Sequence, residues 1–261
     1  METVTSADGT PIGFTRSGAG PPLVLVHGAI ADRTRWAPIL PELQRAFTVI
    51  AMDRRGRGAS GDSVSYSLER EVEDVVAVVT AAGPDASLLG HSYGSLCAME
   101  AAPRINNLRR LILYEADFRL DDAPLTPPEL RDHLAGLLAK GDREAVLEAV
   151  FSKLAGATDQ QIAALRADPS WQGRIAAAHT VLREIEACEE YRFDPSRFSG
   201  LNVPTLLLLG EESGEVFAAC TRALDAALPD SRMTVLEGQG HIAMSTAPQL
   251  FLREVTSFLA G

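Results

Sequence analysis

Gly90-His91-Ser92-Tyr93-Gly94 is the stretch on which the reading of this chain turns. Ser87-Leu88-Leu89 leads into it and Ser95-Leu96-Cys97-Ala98-Met99 follows, so a strand is expected to end at Gly90 and a helix to begin just after Ser92. A turn that sharp needs small residues two before and two after the serine, where side chains would collide. It lifts the hydroxyl out of the sheet edge, and the helix N-terminus behind it favours negative charge. A serine held in this way attacks a carbonyl carbon. The competing reading is a chance pentapeptide in a loop.

Outward from Ser92 the pattern alternates. Residues 2–6 and 11–16 flank Asp8-Gly9, a hairpin signal. Residues 22–27 and 47–52 are short apolar runs of the kind that strands buried on both faces require. Helical patterns at 35–46 and 67–82 separate them from one another and from the serine turn, and 109–115 reads as the next strand. From 117 to 200 no buried-strand run occurs; helical patterns cover 127–139, 142–155, 158–167 and 171–190. Alternation resumes at Pro204-Thr205-Leu206-Leu207-Leu208-Leu209-Gly210, with a helix at 215–227, a strand at 232–236 and a helix at 247–259. The expected architecture is therefore α/β: a mostly parallel sheet flanked by helices. Residues 1–116 and 201–261 form its core, and 117–200 is a helical insertion that covers the C-terminal sheet edge, where open α/β sheets bind ligands. The alternative is a second domain with its own core.

Composition bounds the function. The chain has 261 residues, 46% hydrophobic and 23% charged, the mix of a soluble globular protein. A net charge of −11 argues against nucleic acid or an anionic membrane as partner, and against a strongly anionic substrate unless local arginines cancel the field. Cys97, Cys188 and Cys220 are odd in number and lack metal-ligand spacing, so buried free thiols in a reducing compartment are expected. The N-terminus has no signal-peptide pattern and no run reaches membrane-span length, which points to a cytoplasmic protein. No metal cluster or dinucleotide fingerprint is present, so no cofactor is expected. The partner is a small-molecule substrate. The oligomeric state stays open, a homodimer among the options.

A serine hydroxyl needs a base. Of the five histidines, His241 follows Gly238-Gln239-Gly240, directly after the last strand, where a loop can present its ring over the sheet edge. His91 is expected to pack against the sheet and His27 to order its neighbouring loop. His133 and His179 lie on insert helices. An oxyanion needs two amide donors: the N–H of Tyr93, and that of Ala29 in the loop His27-Gly28-Ala29-Ile30.

The chain resembles the α/β-hydrolase fold over essentially its full length. The resemblance is carried by Leu25-Val26-His27-Gly28, Asp53-Arg54-Arg55-Gly56-Arg57-Gly58-Ala59-Ser60, the turn around Ser92, the insertion after 109–115, and Gly240-His241. It implies an eight-stranded-type sheet, Ser92 as nucleophile, His241 as base, the Ala29 and Tyr93 amides as oxyanion hole, and 117–200 as a cap. Residues 53–60 look like a structural loop with arginines paired to carboxylates rather than a phosphate loop.

The third member of a Ser-His-acid triad departs from the family's pattern. The usual acid follows the 204–209 strand, but that turn reads Gly210-Glu211-Glu212-Ser213, with serine where aspartate is common. Glu115, at the end of the preceding core strand, is the preferred acid, because a charge there is costly unless it has a partner. Some haloalkane dehalogenases of this fold place a glutamate in that position. Glu212, Glu211 and Asp117 are the alternatives, and pairing of Glu115 with Arg54 or Arg119 is the non-catalytic reading.

The expected function is a serine hydrolase that opens a small to mid-sized apolar ester, thioester or lactone through an acyl-enzyme. Leu134, Leu137, Val150, Phe151, Leu154 and Trp171 on the insert suggest an apolar pocket, though an insert needs such residues for packing as well. The alternatives are a natural-product tailoring enzyme (cyclase, decarboxylase or carbon–carbon bond hydrolase) and a ligand-binding protein without turnover.

Overall fold

The structure is a computed structural model that describes residues 1–154, 157–168 and 170–261. Among the described residues eight strands form one sheet: β1 (Glu2–Thr5), β2 (Pro11–Ser17), β3 (Pro22–Val26), β4 (Thr48–Met52), β5 (Ser87–His91), β6 (Arg110–Tyr114), β7 (Thr205–Gly210) and β8 (Ser231–Leu236). Their order is β1-β2-β4-β3-β5-β6-β7-β8. The β1–β2 and β2–β4 pairings are antiparallel, and every pairing from β4 through β3 to β8 is parallel. The strand that carries the serine turn thus sits mid-sheet.

Side-chain alternation explains the layers. On β3, Val24 and Val26 face one side while Leu23 and Leu25 face the other, and all four are fully buried. The first side packs on α2 (Leu68–Ala82), through Val72, Val75 and Val79, and on α3 (Tyr93–Ala101). The second packs Leu43 of α1 (Leu40–Leu43), Phe251 and Val255 of the C-terminal helix Pro248–Ala260, and Trp36 from the turn ahead of α1. Both faces of the parallel strands are covered, which is why their sequences are continuous apolar runs.

Between β6 and β7 lie α4 (Pro128–Ala139), α5 (Arg143–Lys153), α6 (Asp159–Ala167), α7 (Trp171–Ala177) and α8 (Val181–Glu190). They bury a separate cluster that includes Leu134, Val146, Leu147, Trp171 and Val181, which Ile30 of the β3 loop joins and against which Ala29 packs. Further on, α9 (Glu215–Ala227) follows β7, and α10 (Ala243–Thr246) precedes the C-terminal helix, which is α11.

Two expected helices differ. The 35–46 segment is a 3-10 turn, Arg33–Trp36, and then the single turn of α1, because Pro38 and Pro41 cannot donate to a continuous helical ladder. The 171–190 helix breaks at a 3-10 turn, Ala178–Thr180. Leu154, expected on the pocket face, is instead 38% exposed.

A buried ion network ties α8 to the sheet. Arg54 donates to Glu71 Oε1 (2.6 Å) and Oε2 (3.0 Å) and to Glu184 Oε1 (2.9 Å). Arg57 also meets Glu184 Oε1, and donates to Thr180 Oγ1 at 2.7 Å. Arg55 pairs with Asp74 (2.7 and 2.8 Å) and Asp8 (3.0 Å). The arginines of 53–60 are thus held by carboxylates.

Candidate active site

Ser92 joins β5 to α3 with φ 56° and ψ −130°, a strained backbone for a residue with a Cβ. The elbow survives because nothing crowds it. A Cβ on Gly90 would lie 2.6 Å from both the Gly94 carbonyl oxygen and Ser95 Cα, and one on Gly94 would run into the carbonyls of Val26 and His27. The Ser92 N–H donates to Tyr114 O (2.9 Å), and Ser95 Oγ donates to the same carbonyl (3.0 Å). Strand β6 therefore anchors the turn from the side.

The β3 loop approaches from the other flank. A Cβ on Gly28 would sit 2.8 Å from Ser92 Cβ, so only glycine permits this proximity. His27 is fully buried beneath it: Nδ1 donates to Gly28 O (2.8 Å), and Nε2 accepts the Arg54 amide (3.2 Å). Burial, with Arg57 and Arg54 nearby, holds this ring well below the ordinary histidine range and neutral. Among the described residues the amides of Ala29 and Tyr93 donate to no protein acceptor. The Tyr93 amide opens α3, where helical N–H groups lack intrahelical partners.

His241 lies over the same edge. Its Nδ1 is 2.5 Å from Glu115 Oε2, and Phe217 stacks on the ring at 4.3 Å between centroids. On another side the His91 ring lies 4.7 Å away, and His91 Nε2 donates to the His241 carbonyl at 2.8 Å. His91 directly precedes Ser92, so this bond ties the histidine loop to the serine turn. Burial first, and His241 next, hold His91 well below the ordinary range. Among the described residues Ser92 Oγ has no hydrogen-bond partner; in unliganded sites such contacts are often long and tighten on binding.

Glu115 follows β6 with φ 52°, and its carboxylate is sealed from solvent. Three donors converge on it. Oε1 accepts the Gly210 amide (2.6 Å) and the Ser213 hydroxyl (2.5 Å), and Oε2 faces His241. Gly210 ends β7, and a Cβ there would lie 2.6 Å from Gln239 O in the loop that delivers His241. The ends of β6, β7 and β8 thus meet at one carboxylate.

Residues 23–254 match the family model described as the alpha/beta hydrolase family. The chain belongs to the α/β hydrolase family. Over 252 residues it is 26% identical to a 2-(acetamidomethylene)succinate hydrolase of Mesorhizobium japonicum, covering 93% of this chain and 89% of the relative. It is 27% identical over 241 residues to a putative carbamate hydrolase, RutD, of Escherichia coli, covering 88% of each. A crystal structure of an alpha/beta hydrolase from Sphaerobacter thermophilus superposes with a TM-score of 0.86 at 36% identity, covering 99% of this chain and 100% of that one. These relatives are hydrolases.

In this α/β hydrolase the other sequence candidates stand elsewhere. Glu211 and Glu212 are exposed, and Glu211 Oε2 accepts the Gly238 amide (2.8 Å). Neither Arg54 nor Arg119 pairs with Glu115; Arg54 serves Glu71 and Glu184, and Arg119 lies by Asp122 and Glu189. Asp117 Oδ1 is sealed and has no hydrogen-bond partner. His133 and His179 are exposed. Leu134 and Trp171 pack inside the insert's own cluster.

Ser213, read from sequence as a defect at the acid's usual place, is instead a donor to Glu115. The missed signal was pairing: a hydroxyl at that turn complements a glutamate on the neighbouring strand. The Phe217 face on His241 and the His91 bond to its carbonyl carried no sequence signal. Among the described residues no helix is long and apolar enough to cross a membrane.

Proposed function

We propose that this α/β hydrolase is a serine hydrolase that cleaves a carboxylic ester, thioester or lactone through an acyl-enzyme. Ser92 is the nucleophile, His241 the base and Glu115 the acid. The observation that carries the reading is the 2.5 Å contact between Glu115 Oε2 and His241 Nδ1 at the edge where Ser92 sits on a strained turn.

With Nδ1–H donated to Glu115, His241 Nε2 is left as the free acceptor. Ser92 Oγ bonds to the substrate carbonyl carbon as its proton passes to Nε2. The carbonyl electron pair moves to oxygen, and the Ala29 and Tyr93 amides receive that oxyanion. The intermediate collapses, the leaving group departs with the proton from Nε2, and the acyl group stays on Ser92. Water repeats the sequence: Nε2 takes its proton, the acid product forms and Ser92 recovers its hydrogen. Residues 117–200 act as a lid over this edge, with α8 fastened through Glu184. The names of two relatives extend the substrate range to carbonyls that bear nitrogen, by the same steps. The protein is soluble and cytoplasmic in this reading.

The test is a fluorophosphonate probe with peptide mapping, alongside p-nitrophenyl butyrate turnover. Ser92 takes the label, and Ser92→Ala loses at least about 10⁴-fold in kcat. Label elsewhere, or parental turnover by Ser92→Ala, rejects the assignment. Product analysis separates the tailoring reading: loss of carbon dioxide or ring closure in place of a carboxylate product rules out hydrolysis.

A further inference from the structure

The Gly28–Ala29 peptide carries one of the two proposed oxyanion donors, the Ala29 N–H. A trans peptide is planar and sends its C=O and N–H in opposite directions, so whatever holds the Gly28 carbonyl also aims the Ala29 amide. Two donors hold it: His27 Nδ1 at 2.8 Å and Arg54 Nη1 at 3.2 Å. Both side chains are fully buried. The carbonyl therefore points into the core and the N–H points away from it; among the described residues no protein acceptor meets that N–H. Gly28 itself lies against the serine turn, since a Cβ on it would be 2.8 Å from Ser92 Cβ.

His27 is the neighbour of Gly28 in the chain, but Arg54 arrives from the loop after β4, and other elements aim it. Glu71 on α2 accepts from Arg54 Nε (3.0 Å) and Nη2 (2.6 Å), and Glu184 on α8 accepts from Nη2 (2.9 Å). A guanidinium is a rigid planar fork. With Nε and Nη2 gripped on one side, Nη1 faces the other way, where Gly28 O accepts. The same group lies over the Tyr93 ring, 4.4 Å from its centroid, and Tyr93 supplies the second proposed amide. Burial works against the charge on Arg54, but Glu184 and Glu71 outweigh it and hold the group well above its ordinary value. A charged donor on a peptide oxygen polarises that peptide and strengthens its N–H as a donor.

An arginine buried only to clamp α8 onto α2 would need no bond to a loop carbonyl. We propose that Arg54 is a positioning residue for the oxyanion hole: gripped by Glu71 and Glu184, it fixes the Gly28 carbonyl so that the Ala29 N–H is aimed at the oxygen that turns negative when Ser92 attacks.

This role rests on the reading of Ser92 as nucleophile and Ala29 as oxyanion donor, and the test separates the two. Arg54→Met keeps most of the alkyl stem and removes the donors. An oxyanion donor that is misaimed weakens only the transition state, so kcat for p-nitrophenyl butyrate falls about 10–100-fold while KM changes by less than about twofold. Affinity for trifluoromethyl propyl ketone, which adds to a serine and puts an oxyanion in the hole, falls by the same factor. Affinity for methyl propyl ketone, which stays trigonal, does not change. Equal losses for both ketones mean that the whole pocket is distorted and overturn the role, as does a folded Arg54→Met with kcat within about threefold of wild type. Glu71→Gln leaves one acceptor oxygen for a grip that uses two, and decides the matter if Arg54→Met does not fold. It gives the same split between the ketones with a kcat loss of at least about fivefold, and absence of that split overturns the role. If wild-type protein neither turns over the ester nor prefers the trifluoromethyl ketone to its methyl analogue, the Ser92 reading itself fails, and the role of Arg54 with it.

Discussion

Glu115→Gln isolates the acid with the smallest change in shape. The carboxylate offers Oε1 to Gly210 N–H and Ser213 Oγ, and Oε2 to His241. Glutamine has one oxygen. If it stays on the Gly210 side, its NH2 faces His241 Nδ1, the ring must accept there, and the proton shifts to Nε2, where the base is needed. If the amide flips, His241 keeps its acceptor but the NH2 meets the Gly210 N–H, and a buried donor left unpaired costs about 1–3 kcal/mol. Backbone geometry thus favours the wrong tautomer, and either orientation removes the negative charge that stabilises the imidazolium. The corresponding acid-to-amide change in a serine protease lowers kcat by about 10⁴, so a loss of about 10³–10⁴ with little change in KM is expected here. The assay is p-nitrophenyl butyrate turnover normalised to correctly folded protein by circular dichroism and thermal melting. A kcat within tenfold of wild type, with the fold intact, would refute the role given to Glu115.

Relocation of the acid gives a second check. Ser213 Oγ already lies 2.5 Å from Glu115 Oε1, so Glu115→Ser combined with Ser213→Asp puts a carboxylate within reach of the same ring. The double variant should recover at least about tenfold of the kcat that Glu115→Ser loses; no recovery in a folded protein shows that His241 cannot be served from that turn. Acid stability is a third. His27 and His91 are buried and held well below the ordinary value of 6.5. The unfolded chain therefore takes up protons below 6.5 that the folded chain refuses. Their contribution is complete above that pH and is lost as pH falls, by about 1.4 kcal/mol per histidine per pH unit until the folded values are reached. Urea melts from neutrality to about pH 5 measure it, and equal stability across that window contradicts the burial argument.

Local rules were enough for part of this molecule. Short apolar runs can only be strands buried on both faces, and glycines flanking Ser92 can only serve a sharp turn, so the sheet, the serine elbow and the late histidine were legible along the chain. Continuous helix at 35–46 was not, because the apolar period masked what Pro38 and Pro41 forbid. The choice among Glu115, Glu211, Glu212 and Asp117 was also out of reach of pattern. All four lie near strand ends, and which carboxylate meets His241 depends on how β6, β7 and β8 align, a register that no single segment encodes. Arg57 and Glu184, which pair in the buried network, belong to the same category. They come from segments up to 127 positions apart, and their shared burial exists only once α8 is fastened across the sheet edge. Sequence thus determined which local shapes each segment adopts. Tertiary structure decided which polar groups are brought together away from water, because desolvation acts on neighbours in space rather than along the chain.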